Sequence, residues 1–392
     1  MLVAGLLGLG CARSKPDDNG VRPPTAAETT ALRAALATYA DIAAAAYSDA
    51  VSGARSLEQA VTTFVSAPSA EGLAGARKAW LSARRPYQQT EVFRFYDGPI
   101  DRVELRINTW PIDEGYVEGA GQSGKLGIID DAKRYPDLTL ELLSALNAKE
   151  GETSISTGYH VIEFLLWGAD SRVDGPGDRP YTDYVGKPGD GANRRGRYLR
   201  TAVALLIRDL EQVRDAWAPG HDNYRAKFLA LPPSEAFGLA IKGMGSLSGP
   251  ELGGERLTVA YETKAQENEH SCFSDNTIID LADDALGIQN ACLGRYERMN
   301  GSSVQGPGLC AAAAARSPEL AERLQKEIAA SVAKVRGIPA PFDQAILGAD
   351  TAPGRSAVQA AIASLQAQAS TLAELAAVYD VRLTERATRR RP

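Results

Sequence analysis

Gly158-Tyr159-His160-Val161-Ile162-Glu163-Phe164-Leu165-Leu166-Trp167-Gly168 is the stretch on which the reading of this chain turns. Between the two glycines, only His160 and Glu163 are strongly polar. A helix that is apolar on nearly every side belongs inside a bundle of other helices. Residues three apart share one helix face, so an imidazole nitrogen and a carboxylate can converge on one ion. Glu/His pairs of similar spacing build metal sites inside helical bundles. Burying such a pair without a partner is expensive. A plain hydrogen bond between the two, inside a core, is the simpler reading of the spacing alone.

Working outward, helical periodicity recurs on both sides. Leu32, Leu36, Tyr39, Ala43 and Tyr47 fall on one stripe. Ser69 is placed to cap a second helix that runs through Trp80 towards Phe95, with Arg77, Arg84 and Arg85 at polar positions and Gly98-Pro99 as its stop. Residues 111–136 read as loop. A short helix (Leu138 to Ala148) and a helix from Ser154 to Trp167 follow. The Gly/Pro/Asp-rich stretch from Gly168 to Gly196 is long enough for a functional loop or lid. Helix returns from Ala202 to Trp217, and a Pro/Gly link at 218–223 marks a boundary.

The second half repeats the style. It predicts a helix near Ser234–Lys242, a Gly-rich loop from Gly243 to Gly254, and helices at Glu255–His270 and Asn276–Met299. Ser317-Pro318-Glu319 is a strong helix start, and Leu320, Leu324, Ile328 and Val335 form its stripe. Val358, Ile362, Leu365, Leu372 and Leu375 mark the last helix. No period-two strand stands out. The expectation is an all-α protein of two bundles, 27–220 and 221–385, each with about four main helices.

Composition narrows the function. Of 392 residues, 43 are Lys or Arg and 49 are Asp or Glu, a formal charge of −6. No basic surplus exists to bind nucleic acid. Four cysteines in a chain this long are no disulfide scaffold. Residues 1–10 are uncharged and apolar or small, and Cys11 follows, ahead of a polar, Pro-rich stretch. That pattern resembles the end of a bacterial lipoprotein signal (1–11) with Cys11 lipidated, followed by a flexible tether at 12–26. Residues 386–392 form a basic tail. An oxidising compartment allows one bridge among Cys272, Cys292 and Cys310. Cys292 and Cys310 could staple two helix ends, but the spacing leaves the pairing open. The phosphate-loop lookalike at Gly119–Lys125 fails at Leu126, where a hydroxyl should stand.

Two further stretches hold chemistry. Gln266 to Thr277 places His270 among Glu267, Glu269, Ser271, Cys272, Ser274 and Asp275. Tyr87 to Phe95 holds Glu91 and Arg94, three apart, for which a local ion pair is the plain reading. Taken in order, Ala79-Trp80, Ala83-Arg84, Pro86-Tyr87, Thr90 to Phe95, Gly98-Pro99-Ile100-Asp101, Gly158/His160/Glu163, Gly177 to Pro180 and Glu255-Arg256 through Asp275 resemble the imelysin family, in its iron-regulated branch.

The resemblance implies two four-helix-bundle domains related by internal duplication. The Gly-x-His-x-x-Glu motif would lie near the groove between them. It also implies an exported lipoprotein of the periplasm or outer membrane in a Gram-negative bacterium, anchored through Cys11. That protein would take part in iron uptake alongside iron-transport or other outer-membrane partners. His160 and Glu163 would be the primary metal ligands, with Glu91, Asp101, Glu114, Glu269 and Asp275 as candidate carboxylates. Arg94, Tyr159, His270, Ser271 and Ser274 would line the cleft. The metal expected first is iron, which tolerates carboxylates with imidazole, and then zinc. Ile278 stands where the family pattern often carries a further histidine. The alternatives are a metallopeptidase using His160 and Glu163 as two zinc ligands, and a non-catalytic lipoprotein binding a peptide, haem or partner.

Overall fold

The computed structural model describes residues 22–119, 124–172 and 175–380. The signal, Cys11, the tether up to residue 21 and the basic tail lie outside the described residues.

Helix α1 (Ala26–Ser66) is 41 residues long, roughly 60 Å at 1.5 Å per residue. Thr25 and Glu28 form a reciprocal capping box at its start. Arg22 pairs with Glu28 and ties the preceding chain to this cap. Helix α2 (Ala70–Gln88) begins at Ser69, whose hydroxyl accepts the Gly72 amide. The two helices pack closely because α1 presents small residues: a Cβ at Gly53 would lie 3.0 Å from the Ala83 Cα. Helices α3 (Leu140–Leu146), α4 (Tyr159–Trp167) and α5 (Gly191–Trp217) complete a first group.

After the short α6 (Tyr224–Ala230), helix α7 (Pro233–Ser246) runs on through a wide π-type stretch, Leu247–Thr258, and a last α turn, Val259–Thr263. It packs with α8 (Thr277–Leu293), α9 (Leu309–Ala314), α10 (Pro318–Arg336) and α11 (Pro353–Val378) as a second group. A small hairpin, β1 (Arg295–Glu297) with β2 (Ser303–Gln305), sets Tyr296 opposite Val304. Cys292 and Cys310 are bridged across it, and Cys272 is a buried free thiol. One continuous apolar core runs through both groups, and α1 touches elements of each.

The all-α class stands, with several local corrections. The Gly-rich segment 243–254 is helix. Its glycines serve close approach rather than flexibility: a Cβ on Gly243 would sit 2.5 Å from the Val92 carbonyl oxygen. The helix expected over 255–270 stops at Thr263, where Lys264 turns left-handed at φ 55. His270 therefore leaves the helix. The helix towards Phe95 stops at Gln88, and the one from Ser154 starts only at Tyr159. The helix to Met299 ends at Leu293, and three-residue strands follow, too short to show a period of two. Arg84, assigned to a polar face, is fully buried.

Candidate functional site

Helix α4 opens on Gly158 at φ +93, and a Cβ there would lie 2.6 Å from the Ile107 carbonyl oxygen. Only glycine fits that conformation against that backbone. Gly158→Ala is expected to lower the unfolding free energy by about 1–3 kcal/mol from backbone strain alone. A urea midpoint equal to that of the unsubstituted chain would contradict this. The backbone of α4 is pinned from α2. The Trp80 indole donates to the Tyr159 carbonyl at 3.0 Å, and the Arg77 guanidinium donates to the Leu166 carbonyl at 3.0 Å. Tyr159 itself faces α2, donating to the Ala83 carbonyl at 3.3 Å.

His160 and Glu163 meet as their spacing predicts, with Nδ1 and Oε2 2.8 Å apart and both side chains buried. The other carboxylate oxygen, Oε1, accepts from the Ser274 amide at 3.0 Å and its hydroxyl at 2.6 Å. Glu163 is thus fully engaged, whereas His160 Nε2 has no hydrogen-bond partner among the described residues. The His160 ring lies edge-on to the His270 ring at 4.8 Å and 5.0 Å from the Trp110 ring. His270 Nε2 is likewise unpartnered and buried. The left-handed turn at Lys264 makes this meeting possible, because it releases residues 264–276 to fold back over α4. Phe273 anchors them, 5.3 Å from Phe164 and 5.4 Å from Trp110.

Burial, helped by the positive charges of Arg84 and Arg256, holds both imidazoles well below the usual histidine range. They are neutral at neutral pH. Burial pushes the Glu163 carboxyl up, opposed by the Ser274 donors and Arg84.

Beside His270 opens a cavity of about 320 Å³, whose wall also includes Arg94, Asn108, Trp110, Glu251 and Arg256. Four atoms of these side chains are buried without a hydrogen-bond partner among the described residues: Arg94 Nε, Asn108 Nδ2, Trp110 Nε1 and His270 Nε2. An ion network underlies the cavity. Glu91 accepts from Arg94 and, at 2.7 Å, from Arg256. Arg256 also reaches Asp284 at 2.6 Å and Glu251 at 2.9 Å, and Arg94 lies 3.3 Å from Glu104. The seam between α2 and α8 continues it: Arg84 pairs with Asp280 at 2.6 Å and Arg85 with Asp283 at 3.0 Å. Asp280, Asp283, Asp284 and Gly287 share one face of α8. At Gly287 a Cβ would lie 2.6 Å from the Gln89 carbonyl oxygen.

The structure brings His160, Glu163, His270 and Ser274 together and gives the other candidate residues different surroundings. Burial would raise the Glu91 carboxyl, but Arg94 and Arg256 outweigh it and hold it down at about 2. Asp101 accepts the backbone amides of Phe95, Tyr96 and Gly98 at 2.9, 3.2 and 2.9 Å, closing a turn. Ser271 donates to Asp280 at 2.5 Å. Glu269 is buried, with neither oxygen in hydrogen-bond geometry, although the Thr277 hydroxyl is near enough to ease its charge. Burial first, then Asp275, Asp343 and Asp170, push its carboxyl up to about 8. Asp275 is pushed up to about 6 by burial and by Asp170 and Asp343. Glu114 is raised by burial and by Asp113 and Glu267. Among the described residues, no group of three or more His, Cys, Asp or Glu side chains is arranged to hold a metal ion. The free nitrogens of His160 and His270 are the protein atoms best suited to one.

Sequence reasoning missed Trp110, Asn108, Arg256, Asp280 and Asp284. Acids at 280, 283 and 284 on an otherwise apolar helix were the available signal for the last two. Nothing local marks Trp110 or Asn108, whose roles depend on contacts distant in sequence.

The sequence model of a family described as Imelysin, peptidase M75, matches residues 43–372. Iron-regulated protein A of Synechococcus elongatus is 26% identical over 337 residues, covering 83% of this chain and 80% of that protein. The crystal structure of a candidate iron-regulated protein A precursor from Parabacteroides distasonis superposes with a TM-score of 0.68 at 19% identity, over 92% of this chain and 98% of that one. That of an imelysin-like protein from Psychrobacter arcticum gives 0.62 at 16%, over 93% and 99%. These two likenesses concern the fold. Among the described residues, no helix is long and apolar enough to cross a membrane. With the family match spanning most of its length, the chain belongs to the imelysin family.

Proposed function

We propose that the chain is an exported, iron-linked binding protein that holds a metal ion through His160 Nε2 and His270 Nε2. The observation that carries this is the pair of neutral imidazoles in ring contact, each with a buried Nε2 that no group among the described residues satisfies. Glu163 then acts on His160 rather than on the ion. With metal bound, Glu163 would be ionised and its Oε2 would accept the Nδ1 hydrogen, leaving Nε2 as donor atom, a common outer-shell arrangement in metal sites. Ser274 holds that carboxylate in place. Iron is favoured over other ions by the iron-regulated relative. Lipid anchoring through Cys11 and work beside iron-uptake partners of the outer membrane are part of the same proposal.

Binding is preferred to peptidase chemistry on the donor set. A hydrolytic zinc centre uses three protein ligands and a separate base. Here two imidazoles are in ring contact, while the nearby hydroxyls of Ser271 and Ser274 are engaged with Asp280 and Glu163. Burial also pushes the Cys272 thiol well above its usual range.

Titration calorimetry with ferrous and zinc salts tests the proposal. His160→Ala and His270→Ala are each expected to weaken binding more than about 100-fold, beyond the 10–100-fold loss expected of Glu163→Gln as an outer-shell partner. Asp101→Asn is expected to change nothing. Unaltered affinity in both histidine variants would overturn the assignment.

A further inference from the structure

The two imidazoles are held in place by different means. His160 stands on α4 and is fixed directly, with its Nδ1 2.8 Å from Glu163. His270 lies outside any α-helix, so its place depends on how the segment around it is fastened. Ser271, the next residue, is fully buried and engaged through all its polar groups. Its amide donates to the Thr277 hydroxyl at 3.0 Å, and its carbonyl accepts the Asn276 amide at 3.2 Å. Those two bonds fold the segment onto the start of α8. The third is different in kind: the Ser271 hydroxyl donates to the Asp280 carboxylate at 2.5 Å.

Asp280 joins that segment to two helices. It stands on α8 and accepts from α2, with Arg84 Nε at 3.2 Å and Nη2 at 2.6 Å. Asn276 donates to its other oxygen at 2.7 Å. All four side chains are buried. A buried carboxylate with donors on both oxygens, one of them a guanidinium, is held rigidly. The same point of α2 also holds the His160 side. Tyr159, the neighbour of His160, donates to the Ala83 carbonyl at 3.3 Å, and its ring lies 4.9 Å from the Arg84 guanidinium. Ala83 and Arg84 are thus a common reference for both imidazoles. They reach one through Tyr159 and the other through Asp280 and Ser271.

Resting on the metal-binding reading of His160 and His270, we propose that Asp280 is a positioning residue of that site, setting His270 against His160 through the Ser271 hydroxyl. Two donor atoms serve one ion well only when the groups around them lock their separation. Asp280 does for His270, at one remove, what Glu163 does for His160. Asp283 supplies the natural comparison. It lies on the same face of α8 and in the same seam, but accepts from Arg85 at 3.0 Å and Gln89 at 3.1 Å. Among the described residues, neither bond reaches the segment that carries His270.

The test uses the full chain with cobaltous ion, whose visible absorption reports ligand geometry as well as binding. Ser271→Ala removes the link and keeps the pair of Arg84 with Asp280. It is expected to bind cobalt about tenfold more weakly, the lower end of the loss for an outer-shell partner, with a changed visible band. Asp283→Asn is expected to lower the urea midpoint and to leave cobalt affinity and band as they are. Asp280→Asn also strips Arg84 of its charge partner, so it measures stability together with positioning, and Ser271→Ala is the deciding variant. Unaltered affinity and band in Ser271→Ala would overturn the proposal while leaving the imidazole site standing. So would an equal loss of affinity in Asp283→Asn, which would make the effect one of general stability. Absence of cobalt binding by the unsubstituted chain would overturn the metal-binding reading and the proposal with it.

Discussion

Arg84→Met is expected to lower the unfolding free energy by about 3–5 kcal/mol, the usual loss when one partner of a buried ion pair is removed. Arg84 is fully buried on α2 and pairs with Asp280 of α8 at 2.6 Å, and its guanidinium also donates to Asn108. It stacks over the Trp80, Tyr87 and Tyr159 rings. Among the described residues, the substitution leaves the buried Asp280 carboxylate with only Ser271 and Asn276 as donors. Arg85→Met is the control. Its side chain is 61% exposed and pairs with Asp283 at 3.0 Å, so about 1 kcal/mol or less is expected. Urea unfolding of the three proteins decides the matter: equal midpoints for the two variants would show that the buried pair does not fasten α2 to α8.

Glu269→Gln is expected to remove a strong pH dependence of stability. The Glu269 carboxyl is pushed up to about 8 from its ordinary 4.5, chiefly by burial, with Asp170, Asp275 and Asp343 adding to it. The folded state therefore binds this proton more tightly than the unfolded chain does. The resulting stability is fully present below pH 4.5, falls as pH rises, and is gone above pH 8. Each unit of that window is worth about 1.4 kcal/mol, which sets an upper bound of about 5 kcal/mol. Between pH 5 and pH 8 the unsubstituted chain should lose at least about 2 kcal/mol more than the glutamine variant. Parallel stability curves for the two would mean that Glu269 titrates as an ordinary surface acid.

Much of the architecture was legible because it rests on local periodicity. The stripe from Leu32 to Tyr47 and the start at Ser317-Pro318 are rules of single helices, and α1 and α10 follow them. The segment 243–254 was not legible, because composition cannot tell a flexible glycine from one that admits a neighbouring backbone. Gly243 is the second kind, as its approach to Val92 shows. Arg84 failed for a related reason: its partner is 196 residues away, and no helical spacing reveals it.

The same division runs through the site. The contact between His160 and Glu163 follows from their spacing, and so does the pair of Glu91 with Arg94. The contact between His160 and His270 does not, because it depends on a left-handed turn at Lys264 that ends a helix seven residues early. That turn changes the role of Glu163. With Ser274 on one oxygen and His160 on the other, the carboxylate orients an imidazole and does not itself face an ion.

The central claim is that His160 and His270 together bind the metal and that Glu163 stands behind them. Anomalous diffraction from crystals soaked in ferrous or zinc salt tests it most directly. The expected result is one strong peak about 2.1 Å from Nε2 of both histidines, with Glu163 still bonded to His160 Nδ1. A peak on the Glu163 carboxylate, or metal bound only at Glu269 and Asp275 with both imidazoles free, would contradict it.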